Sequence, residues 1–279
     1  MIPPVARRFV AGETAAEAVR HVEEIGEMGV GAVVNLLGEH YADPDDAAAD
    51  RDAYLALIDD LPPSMASISV KPTQIGLDVD KATFRANLNE IVAVARDRDR
   101  FVWIDMEGRT TTDATIDAYD DLAGEYGGGV GLCLQANLKR TPEDIERLSS
   151  VPGKLRLVKG AYDEPPAVAH RTNAAVDEAY RESLAQAFEH AEATVGVGSH
   201  DPAMIEHARR LADEFDREYE VQMLMGVRTE AQYSLAASLP RATVWQYVPY
   251  GPRWKSYFYR RVAERKENLL FAARAVAGI

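Results

Sequence analysis

The sequence predicts an α/β fold closed as a (β/α)8 barrel. Short apolar segments rich in β-branched residues recur eight times, at 31–37, 67–70, 101–104, 130–134, 155–158, 194–197, 219–223 and 244–248. Helix-like amphipathic stretches occupy 14–28, 45–61, 80–96, 112–126, 141–149, 174–193, 202–215 and 228–238. Apolar strands alternating with amphipathic helices imply parallel strands covered by helices. Eight such units in about 250 residues match a closed barrel. An open doubly wound sheet is the alternative, but no Gly-x-Gly-x-x-Gly leads from a strand into a helix. Gly127-Gly128-Gly129 precedes the fourth segment instead and reads as a turn. No interior linker or low-complexity block appears, so residues 1–279 are read as one domain.

Two helices carry explicit start signals. Thr141-Pro142-Glu143-Asp144 reads as an N-cap, then proline at the first helical position and acids in the first turn. Asp201-Pro202 repeats the cap-plus-proline pattern.

In a barrel of this kind the active site is built where strands end and the following loops begin. Taken in order, the residues just past the strands are Gly38-Glu39, Lys71, Asp105 with Glu107, Gln135 with Asn137, and Lys159. Ser199-His200-Asp201, Gln222, and Tyr247 with Tyr250 complete the series. One polar residue at a strand end is ordinary; a run of them in register is not. Lys71 reads either as a snorkelling lysine or as a cation aimed into the barrel mouth. Asp105 reads as a loop cap or as the partner that keeps Lys71 charged. Arg156 stands inside the apolar strand Leu155-Arg156-Leu157-Val158, where burial without an anionic partner is costly. That points to an inward role, with a structural ion pair as the other reading. Gly160-Ala161 after Lys159 permits close approach of the backbone to a ligand. His200, between Ser199 and Asp201 at a helix entrance, suits a phosphate or ribityl contact or is a plain loop histidine.

Near the C-terminus, Tyr257, Arg260, Arg261 and Glu264 stand at i, i+3, i+4 and i+7, one face of a helix. Phe258, Val262 and Leu269 form a separate apolar stripe that can anchor it. Two adjacent guanidinium forks suit a carboxylate, with Glu264 steadying one of them. The same stripe also reads as a solvated face whose Arg260–Glu264 pair is worth roughly a few tenths of a kcal/mol.

Composition excludes several classes. Among 279 residues, 47% are hydrophobic, enough for a large core. A net charge of −14 argues against non-specific nucleic-acid binding. The single cysteine, Cys133, rules out an internal disulfide framework and a Cys-rich metal site; in its apolar segment it reads as a buried thiol. No apolar run approaches the roughly 20 residues of a transmembrane helix, and the first residues lack a secretory signal. The chain is therefore expected to be soluble and cytoplasmic. Arginine outnumbers lysine 24 to 7, and acids cluster at Asp43-Pro44-Asp45-Asp46 and Asp213-Glu214-Phe215-Asp216, which suggests a surface adapted to high salt.

With these residues assembled, the sequence resembles the proline dehydrogenase family along nearly its whole length. The similar stretches include Arg8-Phe9-Val10-Ala11-Gly12-Glu13, Leu37-Gly38-Glu39, Ser69-Val70-Lys71-Pro72-Thr73-Gln74-Ile75-Gly76 and Ile104-Asp105-Met106-Glu107. They continue through Leu134-Gln135-Ala136-Asn137-Leu138-Lys139-Arg140-Thr141 and Arg156-Leu157-Val158-Lys159-Gly160-Ala161-Tyr162. Ser199-His200-Asp201-Pro202, Gln222-Met223-Leu224 and the C-terminal Tyr-x-x-Arg-Arg-x-x-Glu close the set. The resemblance implies a distorted (β/α)8 barrel of the TIM type, with non-covalent FAD at the C-terminal mouth. It implies oxidation of L-proline to Δ1-pyrroline-5-carboxylate by hydride transfer to flavin N5, with electrons leaving to a quinone. A separate pyrroline-5-carboxylate dehydrogenase and a peripheral contact with the quinone-bearing membrane follow as expected partners.

Carried over by position, Arg260, Arg261 and Lys71 bind the proline carboxylate, and Glu264 pairs with the arginines. Tyr257, Tyr247 and Leu224 pack against the pyrrolidine ring, and Tyr162 closes that side. Arg156 sits near N5 and stabilises the reduced ring, while Asp105 orients Lys71; these two are the expected catalytic residues. Met106, Gln135, Val158, Lys159, Gly160, Ala161, Ser199, His200 and Gln222 fall at cofactor-contacting positions. The chain departs from the family in having Ser199 for threonine, Asn137 for a frequent tyrosine, and His170-Arg171-Thr172-Asn173 where a lysine near the FAD phosphates is common. Residue types alone leave other chemistries open: a Schiff-base lyase using Lys159 or Lys71, a non-catalytic amino-acid-binding barrel, and a folate-reducing flavin barrel that oxidises NADH.

Overall fold

The structure, a computed structural model, describes residues 2–62 and 65–259. Arg260, Arg261 and Glu264 lie outside the described residues. Eight strands form the barrel: β1 Gly31–Leu36, β2 Ala66–Val70, β3 Phe101–Ile104, β4 Val130–Gln135, β5 Lys154–Val158, β6 Thr194–Gly198, β7 Tyr219–Leu224 and β8 Ala242–Tyr250. Every neighbouring pair is parallel, and β8 closes onto β1, as the alternating pattern predicts. The helices are α1 Ala15–Gly26, α2 Pro44–Asp60, α3 Lys81–Asp97, α4 Thr112–Tyr126, α5 Thr141–Arg147, α6 Asn173–His190, α7 Pro202–Glu214 and α8 Thr229–Ser238.

Alternation along each strand sorts the side chains. Val102, Ile104, Leu132, Leu134, Leu155, Leu157, Val195 and Val197 pack outward beneath the helices and are fully buried. The alternate positions point into the barrel, where Trp103 and Trp245 fill the space left by glycines on neighbouring strands. A Cβ on Gly131 would stand 2.6 Å from the Trp103 ring, and one on Gly31 2.6 Å from the Trp245 ring. Large residues facing small ones close the lumen without voids.

The helix α1 precedes the first strand. It packs against both β1 and β8, the flank that a helix following the eighth strand would otherwise cover. Residues 254–259 are helical, and Trp254 and Tyr257 instead join Ile2, Ala6, Phe9, Val10 and Leu37 in a second apolar cluster. Leu37 immediately follows β1, so this cluster lies at the mouth.

Helices α1 and α5 each stop two residues short of the sequence expectation, at Gly26 and Arg147, and two further helix ends differ for a tertiary reason. Thr141 is not an N-cap: it is the first residue of α5, and its hydroxyl donates to the Gln135 carbonyl at 2.6 Å. The nearby end of β4 offers that buried hydroxyl a better partner than the helix amides. The α6 helix stops at His190 rather than residue 193, where Arg217 donates to the carbonyls of Ala187, Phe188, Ala191 and Ala193. Asp201 caps α7 as expected, accepting from the Ala203 amide. Among the described residues no helix is long and apolar enough to cross a membrane.

Candidate active site

Strand register assembles the mouth. Val70 of β2 is paired with Ile104 of β3, so Lys71 and Asp105, one residue further on, emerge side by side. Cys133, Arg156 and Gly196 are register partners across β4, β5 and β6, and Leu224 of β7 is the partner of Tyr247 on β8.

Asp105 is the hub. One carboxylate oxygen accepts from Lys71 Nζ at 3.0 Å and from the Tyr247 hydroxyl at 2.7 Å. The other accepts from Ser69 Oγ at 2.7 Å and from the Arg156 guanidinium. Lys71 Nζ also lies 3.3 Å from the Tyr247 hydroxyl. Arg156 donates its second Nη to Gln222 Oε1 at 2.9 Å and stacks over the Trp103 ring at 4.8 Å. The indole and the amide complete the solvation of a guanidinium removed from water.

Burial pushes the Asp105 carboxyl upward, but Lys71 and Arg156 outweigh it and hold the group well below the usual carboxylate range. Burial likewise works against charge on Lys71, yet Tyr247 and Asp105 keep its ammonium protonated far into alkali. The contact cluster therefore carries two fixed cations and one fixed anion. One positive charge is in excess within this contact cluster, and the nearby Glu107 carboxylate adds to the field that keeps Lys71 charged.

A second layer braces this cluster. The Glu107 carboxylate accepts from the Thr73 amide at 2.8 Å and from Thr73 Oγ1 at 2.7 Å, locking the loop after Lys71. Gln135 Nε2 donates to the Glu107 carbonyl at 2.8 Å, and Gln135 Oε1 receives the Ala161 amide at 3.4 Å. Gly160 and Ala161 are exposed, and Val158 and Lys159 half-buried, on the adjoining rim. Gly160 has φ +110, and a Cβ there would strike Asn137 Oδ1, so the ledge admits no side chain.

The remaining predicted residues take ordinary supporting positions. Lys159 pairs with Asp177 at 2.5 Å and Asp201 at 3.2 Å. Ser199 Oγ receives the Asp201 amide, and His200 Nε2 receives the Leu224 amide. Met106 is buried behind Asp105. Tyr162 lines a cavity of about 140 Å³ with Asn137, Glu164, His170 and Arg171. Tyr257 is buried in the mouth cluster. Sequence reasoning passed over Ser69, Trp103, Lys154 and Glu220. Each stands two residues from a residue it did select, or two from the next in that row; that spacing marks the inward face of a strand.

The chain is similar to known proteins along nearly its whole length. The family model described as Proline dehydrogenase matches residues 18–274. The chain is 34% identical over 276 residues to proline dehydrogenase 1 of Bacillus subtilis (strain 168), covering 97% of this chain and 90% of that protein. It is 34% identical over 283 residues to proline dehydrogenase of Deinococcus radiodurans, covering 98% and 90%. Among solved structures it resembles proline utilization A (PutA) from Bdellovibrio bacteriovorus inactivated by N-propargylglycine, with a TM-score of 0.82 and 20% identity. That match covers 92% of this chain and 32% of the PutA chain. PutA from Corynebacterium freiburgense gives 0.80 and 22%, covering 93% and 31%. The chain thus spans under a third of either PutA, and at such identity the likeness concerns the fold alone. The matched family model and the two full-length relatives together establish that this chain belongs to the proline dehydrogenase family.

Proposed function

We propose that the barrel mouth oxidises L-proline to Δ1-pyrroline-5-carboxylate with FAD as cofactor and a quinone as final electron acceptor. The observation that carries this reading is the Lys71–Asp105–Arg156–Tyr247 cluster, in which a buried and a half-buried cation share one carboxylate. An excess cation at the mouth suits a carboxylate substrate, and the family supplies the identity of that substrate.

The residues fit a flavin. Arg156 is a buried guanidinium at the mouth, held by neutral and anionic partners that leave it charged. Beside it, Gly160 and Ala161 offer a ledge without projecting side chains, as a flat ring requires. Asn137 Oδ1, packed against Gly160, is buried with no hydrogen-bond partner among the described residues and is ready to accept from a ligand donor. Gln135, Val158, Lys159, Gly160, Ala161, Ser199, His200, Gln222 and Met106 are the residues we assign to holding the cofactor. Bound FAD would supply the hydride acceptor at N5.

The chain's own contribution is positioning. Lys71 would grip the substrate carboxylate, with Arg260 and Arg261, steadied by Glu264, closing on it from the C-terminal segment. Leu224 and Tyr247, adjacent by register, form a wall for the pyrrolidine ring, completed by Tyr162 and Tyr257. Asp105 holds Lys71, Tyr247 and Arg156 in one frame. The substrate amine must give up its ammonium proton to water, so that its lone pair can form the C=N bond as hydride leaves the adjacent carbon; the iminium so formed loses its remaining N–H proton to water to give the neutral imine. No strong protein base is required.

The Schiff-base alternative is disfavoured on this geometry. A nucleophilic lysine needs a lowered pKa, whereas Asp105 and Tyr247 stabilise the Lys71 ammonium and Lys159 is tied to two carboxylates. We further take residues 1–279 as one cytoplasmic domain that meets a membrane quinone peripherally and releases its product to a pyrroline-5-carboxylate dehydrogenase. Turnover of an artificial electron acceptor tests the reading: L-proline should support it, NADH should not, and N-propargylglycine should inactivate it. A colourless protein that stays inactive after FAD is added would refute it.

A further inference from the structure

Below Arg156 the barrel holds a second ion pair, between the half-buried Lys154 and the buried Glu220. Lys154 and Glu220 precede Arg156 and Gln222 by two residues on β5 and β7, so strand alternation turns all four side chains into the lumen. Lys154 Nζ pairs with one oxygen of Glu220 and stands 4.5 Å over the Phe101 ring and 5.7 Å over the Trp245 ring. The other Glu220 oxygen accepts from Gln222 Nε2 at 2.7 Å, and Gln222 Oε1 accepts from Arg156 at 2.9 Å. Glu220, Gln222 and Arg156 are each only 4% exposed. The contacts run unbroken from Lys154 to Asp105 at the mouth.

Every link has a fixed sense. A guanidinium only donates and a carboxylate only accepts, whereas a primary amide does both and can face either way. Between Arg156 and Glu220, the Gln222 amide has one satisfied orientation: NH2 down to Glu220, oxygen up to Arg156. Lys154 supplies the counter-charge beside the buried Glu220. Gly196, opposite Arg156 in register, has no side chain to support it; a Cβ there would lie 3.3 Å from Arg156 Cβ. The lower side of the guanidinium is thus held by Gln222.

We propose that Lys154 and Glu220 are positioning residues that fix the Gln222 amide, and through it the Arg156 guanidinium, and so set the reduction potential of the bound flavin. This rests on the FAD reading above. With glutamine at position 220 the acceptor-only constraint disappears. Lys154 still claims the single remaining side-chain oxygen, so the new amide turns its NH2 toward Gln222; Gln222 must then offer its oxygen downward and its NH2 to Arg156, donor facing donor, and the cation shifts away from the reduced ring that it stabilises.

The test is the two-electron potential of FAD-loaded protein, measured against a reference dye, together with the FAD dissociation constant. Glu220→Gln should lower the equilibrium constant for flavin reduction at least ten-fold, about 30 mV for a two-electron couple. A through-space charge effect alone has the opposite sign, because removing an anion favours a reduced anionic ring. A raised or unchanged potential would therefore overturn the proposal. The double variant Lys154→Met/Glu220→Gln changes no net charge and frees that oxygen to accept from Gln222, so it should retain the wild-type potential; a fall as large as that of the single variant would also overturn the proposal. Where the single variant fails to fold, Gln222→Met, which cuts the same link to Arg156 without a change of charge, carries the test and should show the same fall. Lys154→Arg, which keeps the pair, should retain the wild-type potential, and a shift as large as that of Glu220→Gln would count against the mechanism. A wild-type protein that binds no FAD refutes the cofactor reading itself, whereas flavin-loaded wild type beside unmoved variants refutes only this inference.

Discussion

Replacing Asp105 by asparagine removes one charge from the centre of the site and almost no volume. The wild-type carboxylate receives Lys71 at 3.0 Å, Tyr247 at 2.7 Å, Ser69 at 2.7 Å and the Arg156 guanidinium. Each ionic contact is worth about 4 kcal/mol gross at an effective dielectric constant near 20. Desolvation of the carboxylate cancels much of that sum, but deleting one partner leaves Lys71 and Arg156 buried and facing each other. Breaking a buried pair in this way costs about 3–5 kcal/mol. At about 2–3 °C per kcal/mol for a chain of this size, Tm should fall by roughly 6–15 °C. The assay is thermal unfolding of wild type, Asp105→Asn, Lys71→Met and the double variant. Because the two residues share one network, the double variant should be more stable than the sum of the singles by at least about 1 kcal/mol. Strict additivity, or a Tm change under about 2 °C, would refute the claim that Asp105 is the electrostatic centre.

The remaining predictions concern charge state, catalysis and salt. The Asp105 carboxyl is depressed on folding, so its stabilisation is present above the unfolded carboxylate pKa of about 3.9 and is lost as pH falls through the lower folded value. The Tm gap between wild type and Asp105→Asn should accordingly be constant from about pH 5 to 9 and shrink below about pH 4; a gap that narrows near neutrality would contradict the assignment. Arg156→Met should slow flavin reduction by proline roughly 10–100-fold, the loss of a charge-assisted contact, with a smaller change in KM. A pure binding defect in stopped-flow measurements would contradict that role. Arg260→Met should raise KM for proline roughly 10–100-fold with FAD content unchanged, since one fork of the carboxylate grip is lost; unaltered proline kinetics would remove it from the site. Folding and activity should both rise with KCl, given the net charge of −14. Full stability in dilute buffer would show that the acidic surface is not a salt adaptation.

The fold was legible because parallel strands buried on both sides must read as short apolar runs, and the eight runs separated by helical periods could close in few ways. Strand ends were legible for a related reason. Lys71 and Asp105 stand one residue past β2 and β3, where a charged side chain has no role in the outer core. Arg156 was conspicuous because it interrupts an apolar strand. What escaped was pairwise and non-local. Glu220 sits in Tyr219-Glu220-Val221-Gln222 with nothing nearby to show that Lys154, 66 residues earlier, neutralises it. Ser69 carries no signal of its own within β2: register sets it beside Trp103, and only the inward turn of its side chain lets Oγ donate to Asp105. The Thr141 hydroxyl was read as a local cap because its real partner, the Gln135 carbonyl, requires the turn between β4 and α5 to be built first. Likewise a helix before β1 was visible, but not that it would occupy the flank between β8 and β1 and leave residues 254–259 to pack at the mouth.

Anaerobic addition of L-proline to the purified, FAD-loaded protein is the most direct test of the central claim. A mouth that holds proline by its carboxylate beside an arginine-stabilised flavin predicts loss of the yellow oxidised absorbance, with pyrroline-5-carboxylate formed in equal amount. Absorbance that persists at saturating L-proline, in protein shown to contain FAD, would contradict it.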